Sequence, residues 1–207
     1  MPALKSDYVC GVWDITGTPL AGKSSEHSVY NPAVVTTNGA GPRNVQIGVF
    51  TSDGHVLMVL PGTWNPQDLM WELGVCKELN TVWEDPALTR AQKETKFHDI
   101  QLAAITKIPA DMARRSRLQG FDMKWSVDHH VTDVFKPGMP QDDPKNKAAF
   151  KNAAELMHER MASRPFQTVA QFDLMSFCNY GRPKYDKKDD EGIPDPKPQR
   201  MRRRRGG

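Results

Sequence analysis

Two short apolar runs face each other across Ser52-Asp53-Gly54, and this arrangement restricts the chain more than any other feature. Asn44 to Thr51 (NVQIGVFT) and His55 to Leu60 (HVLMVL) are rich in β-branched and aliphatic residues, and Asp-Gly between such runs favours a tight turn. A β-hairpin is therefore predicted. Pro61-Gly62 then punctuates the chain, and Asn65-Pro66-Gln67-Asp68 offers an N-cap, a proline at the first helical position and an acid in the first turn. Leu69, Leu73, Cys76, Leu79 and Trp83 follow at spacings of three and four, which predicts a helix with one core-facing stripe that includes Cys76.

The flanking segments are read by the same rules. Tyr8 to Thr16 (YVCGVWDIT) mixes aromatic and β-branched residues and is expected to form a strand ending at Gly17-Thr18-Pro19. Leu20 to Gly41 reads as loop, with a short apolar patch at Ala33-Val34-Val35. Asp85-Pro86 opens a second helical stretch to about Ile108, where Pro109 ends it, and Ala110 to Gly120 suits a short basic helix. Phe121 to Phe135 is ambiguous, with a strand over WSVDHHVTDVF as one reading. The proline-rich stretch 137–147 is a linker or long loop. Ala148 to Ser163 is amphipathic, with Phe150, Ala154, Met157 and Met161 on one face, and Phe166 to Phe177 suits a second short helix. Beyond Gly181 the chain is Pro, Lys, Arg and Asp with few apolar residues, a composition expected to be disordered. The organisation expected is an α/β domain over residues 1–108, a helical extension over 109–181 and a basic tail over 182–207.

Composition narrows the function classes. The 207 residues are 38% hydrophobic and 26% charged, enough for one core with attached segments. No run approaches the roughly 18 to 20 apolar residues of a membrane span, and Met1 to Asp7 lacks the apolar stretch of a secretory signal. Cys10, Cys76 and Cys178 are widely spaced without C-x-x-C, so neither a disulfide framework nor a Cys-rich zinc site is expected, and a reducing, cytoplasmic setting follows. From Arg182 to Gly207 there are ten Lys or Arg against five Asp or Glu, whereas the rest of the chain is slightly acidic. Contact with nucleic acid or an acidic surface would therefore rest on the tail, chiefly Arg202, Arg203, Arg204 and Arg205, with no aromatic residue after Tyr185 for base stacking.

Three constellations could carry chemistry. Gly17-Thr18-Pro19-Leu20-Ala21-Gly22-Lys23-Ser24 fits G-x-x-x-x-G-K-[ST], so Gly17, Gly22, Lys23 and Ser24 are the candidate nucleotide-binding residues. That chemistry needs a helix opening at Lys23-Ser24, but Ser25 to Asn31 is polar and then meets Pro32, so a polar loop is the competing reading. His129 and His130 are adjacent and point apart on a helix or a strand, while His98 and His158 lack an H-x-x-x-H partner, so surface or satisfied histidines are favoured over a metal site. Among the thiols, Cys10 lies mid-strand and Cys76 on the core stripe, which leaves Cys178 as the one expected to be exposed. No G-x-S-x-G elbow or placed carboxylate pair is present, and no catalytic residue, metal ligand or cofactor is assigned.

The order strand, irregular segment, proline, strand, Asp-Gly turn, strand, glycine, capped helix resembles the C-terminal half of a thioredoxin-like domain, over about residues 8–83. Pro42, or Pro32, stands where that family carries a cis-proline before its hairpin; Asp53-Gly54 makes the turn, and Gly62 precedes the helix from Pro66. The C-x-x-C of the family's oxidoreductases is missing, since Cys10-Gly11-Val12-Trp13 keeps one cysteine with no helix after it. The resemblance implies either a non-catalytic relative or a chain that starts downstream of its active-site half, which would be a thiol-disulfide oxidoreductase. The function expected is an interaction or scaffold role with a protein partner, linked to redox or protein homeostasis. Nucleotide binding through Gly17 to Ser24 and nucleic-acid association through the tail are the alternatives.

Overall fold

The computed structural model describes residues 2–14, 38–39 and 46–180. The predicted hairpin is present: β1 (Gln46–Phe50) and β2 (Val56–Pro61) pair antiparallel, with Gln46 opposite Pro61, Gly48 opposite Val59 and Val49 opposite Met58. Its turn closes by Thr51 N donating to His55 O at 2.9 Å and Gly54 N donating to Thr51 O at 3.1 Å, and Gly54 sits at φ +89°, where a side chain would be strained. Every residue of β2 is buried, whereas Val49 alone is buried in β1. Among the described residues the sheet has these two strands, and the fold is mixed α/β. Helices supply the rest of the cover over β2.

The first of these helices follows from its cap. Asn65 accepts from Gln67 N at 3.0 Å, Pro66 occupies the first turn, and α2 runs Pro66–Glu84 with Leu69, Leu73, Cys76 and Leu79 buried along the predicted stripe. Before the hairpin, α1 (Pro2–Asp7) is held to α2 by an Asp7–Lys77 ion pair and by Tyr8 Oη donating to Leu73 O at 3.0 Å. After α2 come α3 (Arg90–Lys107), α4 (Ala110–Arg115), α5 (Gly120–Asp128), a 3-10 turn over Lys147–Ala149, α6 (Ala153–Ala162) and α7 (Leu174–Phe177). Reciprocal capping boxes start α3 (Thr89 with Gln92) and α6 (Asn152 with Glu155), each satisfying two otherwise open N–H groups. α3 packs against both α2 and α6, and one continuous apolar core runs from Val49 in β1 to Tyr180.

Several expectations are corrected. Residues 8–14 form no strand: the chain is helical through Asp7 and irregular afterwards, with Tyr8 tied to α2 through Leu73 O, while Ile15 and Thr16 of the expected strand lie outside the described residues. Asp85 ends α2 instead of opening α3, which begins at the stronger Thr89 cap. The strand reading of Phe121 to Phe135 gives way to α5, and helix after Pro165 is confined to α7. Between them Gln167 and Thr168 pair with the start of β2, Val56 N donating to Gln167 O at 2.8 Å. The short basic helix at Ala110 is present as α4 but stops at Arg115, and the amphipathic helix of the extension is present as α6 but starts only at its Asn152 cap, so Phe150 is extended and bridges to Phe135 instead of lying on the helix. No helix among the described residues is long and apolar enough to cross a membrane.

Candidate functional site

α2 turns two carboxylates inward, one helical turn apart. Asp68 is 3% exposed and meets Arg115 at the end of α4 in a two-pronged pair, Nε to Oδ2 at 2.8 Å and Nη2 to Oδ1 at 2.6 Å. Asn38 completes the cluster: its amide donates to Asp68 Oδ2 at 2.7 Å and to Ser116 Oγ at 3.1 Å, and its oxygen accepts from Asn65 N at 2.8 Å. Burial works against ionising Asp68, yet the hydrogen bonds from Arg115 and Asn38 outweigh it and hold this carboxyl below the usual range. Every polar group of this joint has a partner, and the result is a fixed tie between the start of α2, α4 and residue 38.

Glu72 makes a different joint. It and His158 of α6 are both fully buried, with Glu72 Oε2 lying 3.3 Å from His158 Nε2. That separation is within ion-pair range, but the alignment is wrong for a hydrogen bond, and both Glu72 oxygens and His158 Nε2 lack one among the described residues. On the other side of the ring, His158 Nδ1 lies 2.6 Å from Gln101 Oε1 of α3, and Gln101 Nε2 donates to Leu57 O of β2 at 3.3 Å. Because the Gln101 amide hydrogens go to Leu57, its oxygen faces His158, so Nδ1 carries the hydrogen it shares. Trp71 lies edge-on to the same ring with centroids 5.7 Å apart. The four groups link α2, α3, α6 and β2 through one buried polar chain.

A second residue of α6, Arg160, holds the end of the described chain. Its guanidinium pairs with Asp133 at 2.8 Å through both Nε and Nη2, donates to Phe177 O, and lies 5.6 Å over the Tyr180 ring. Tyr180 Oη in turn donates to Gly39 O at 2.9 Å, a second hold on residues 38–39 beside that of Asp68 on Asn38.

The thiols reverse the expectation for two of three positions. Cys10 is exposed and Cys178 is buried in the core, because α7 is short and turns its end inward under Arg160; Cys76 is buried as its stripe predicts. Burial, and then the Glu72 carboxylate, push the Cys76 thiol well above its ordinary range, and Tyr8 beside it is pushed up to about 12, chiefly by burial. Just beyond Tyr8, Val9, Val12 and Trp13 are 104%, 103% and 77% exposed.

Gly17, Gly22, Lys23 and Ser24 lie outside the described residues, as do Pro32, Pro42 and Arg202 to Arg205. His129 Nδ1 donates to Trp125 O at 2.8 Å while the ring stacks on Trp125, and no group of three potential metal ligands occurs among the described residues. Sequence reasoning missed Asp68, Glu72, Gln101 and the buried placement of His158. The signal was register: Glu72 sits three residues after Leu69, Gln101 lies between Phe97 and Ala104, and His158 follows Ala154, each at helical spacing within a buried stripe. Comparison of the chain with family models, curated proteins and solved structures finds no match.

Proposed function

We propose that the chain is a non-catalytic interaction protein, thioredoxin-like in its hairpin and following helix, with a role linked to redox or protein homeostasis. The observation that carries this reading is the arm after α1: three large apolar side chains, Val9, Val12 and Trp13, stand in solvent within five residues. Their root is fixed to α2 by Tyr8 and Asp7. Exposed apolar clusters of this kind suit a protein partner, and aromatic residues are enriched at such contacts. The order β1, Asp-Gly turn, β2, Gly62 and capped α2 supports the thioredoxin-like kinship. Burial of Cys76 and Cys178 supports the non-catalytic part, as does the irregular chain that follows Cys10 where thiol activation would need a helix. Three free thiols favour a reducing, cytoplasmic setting, and the Arg202 to Arg205 run supports a second, salt-sensitive contact with nucleic acid or another acidic surface.

Two measurements test this reading. A photo-crosslinking amino acid replacing Trp13 is expected to give a discrete adduct in cells, whereas the same group at exposed Val169 gives none; equal labelling from both positions would contradict it. In a disulfide-reductase assay the full chain is expected to show no turnover, and turnover abolished by Cys10→Ser would overturn the non-catalytic assignment.

A further inference from the structure

The Glu72–His158 joint poses a problem of proton accounting. Since His158 Nδ1 already gives its hydrogen to Gln101, a neutral ring presents a bare lone pair at Nε2 toward a carboxylate that carries only lone pairs. In a fully buried setting, that arrangement sets acceptor against acceptor at 3.3 Å, too close for a water to stand between them. One positive charge between the two groups removes the conflict. With one proton there, the pair is an imidazolium facing a carboxylate or a neutral ring facing a carboxylic acid, and both are net neutral. Without it, a buried anion faces a lone pair. With a second, a buried imidazolium faces a neutral acid, and again one charge is left uncompensated.

We propose that Glu72, His158 and Gln101 form a proton-held latch that locks α6 onto α2 and α3, tight with one proton between Glu72 and His158 and loosened by its loss or by gain of another. The groups around it leave that proton as the variable. On α2, Cys76 is the neighbouring titratable side chain, kept as a thiol by burial and by Glu72, while Asp68 one turn away is engaged by Arg115. From α3 the facing group is the uncharged Gln101, and from β2 it is the Leu57 carbonyl. On α6, Glu155 caps its own helix, Glu159 pairs with Lys151, and Arg160 pairs with Asp133. Loosening α6 also slackens Arg160, two residues from His158, and with it the hold on Phe177 to Tyr180. The latch thus links protonation in the core to release of the segment that leads into the basic tail.

The test uses the full chain. Hydrogen exchange followed by mass spectrometry across a pH series, corrected for intrinsic rates, should show protection of residues 153–162 and 177–180 passing through a maximum and falling about tenfold on either side, with β1 and β2 little changed. Uniform change over the molecule would overturn the latch. In thermal unfolding, Glu72→Gln supplies an amide N–H to His158 Nε2 and removes the shared proton, so its Tm relative to wild type should vary with pH by about 3 °C or more. Parallel Tm curves would overturn the proposal. Zinc sulfate that raises the Tm of the wild type but not of Glu72→Gln would also overturn it, since a metal cation would then hold the joint instead of a proton.

Discussion

Asp68 and Glu72 leave the same face of the same helix one turn apart, yet they meet opposite treatment. Asp68 receives three side-chain hydrogen bonds, two of them from a guanidinium whose outer edge is in water, whereas Glu72 receives none and is fully enclosed. The contrast shows that burial alone does not define an electrostatic joint. What decides its behaviour is whether donors are supplied at fixed positions, as Arg115 and Asn38 supply them, or must be brought by a proton.

The comparison can be broken from its strong side first. Asp68→Ala should lower the unfolding free energy by about 2 kcal/mol in urea titration, because the buried Asn38 amide loses one of its two acceptors and Arg115, partly hydrated already, loses its carboxylate. A loss under about 0.5 kcal/mol would show that the tie is dispensable. Next in size is acid. The Asp68 carboxyl is held below its ordinary value in the folded chain, so its contribution is present above the unfolded value and is lost as pH falls through the folded one. Asp68→Asn should therefore be less stable than wild type at neutral pH and converge with it in acid, as read from Tm against pH. Smaller still is Glu72→Leu outside the pH range in which the latch is closed, where it removes a buried carboxylate that has no fixed donor; there it should change stability by about 1 kcal/mol or less, in either direction. A loss of about 2 kcal/mol or more at every pH would mean that Glu72 is held by fixed donors, as Asp68 is. The mildest probe leaves the chain unmutated: a thiol reagent should label Cys10 rapidly in the folded protein and Cys76 and Cys178 only after unfolding, so one equivalent reacts at first and three in denaturant.

Much of the scaffold that carries both joints was legible. Asp53-Gly54 between aliphatic runs and Asn65-Pro66 before a stripe of apolar residues are local signals with local causes, and both elements stand where those signals put them. Tyr8 to Asp14 was not legible because strand propensity is easily overridden by context, and here Asp7 and Tyr8 tie the chain to a helix instead of a strand. The start of α3 was misplaced because Asp85-Pro86 imitates a cap, while Thr89 and Gln92 form a reciprocal one. The polar residues inside the stripes were visible in register but not in partnership. Nothing in the spacing of Glu72, Gln101 and His158, which lie on three different helices, states that they converge.

Double-mutant cycles for the two pairs, Asp68 with Arg115 and Glu72 with His158, run in parallel across pH with Asn or Gln replacements, compare the joints most directly. The Asp68–Arg115 coupling should be favourable at neutral pH and disappear only toward acid, whereas the Glu72–His158 coupling should be favourable over a limited range and disappear on both sides of it. Coupling energies that follow the same pH course in both pairs would contradict the distinction between a joint fixed by donors and one held by a proton.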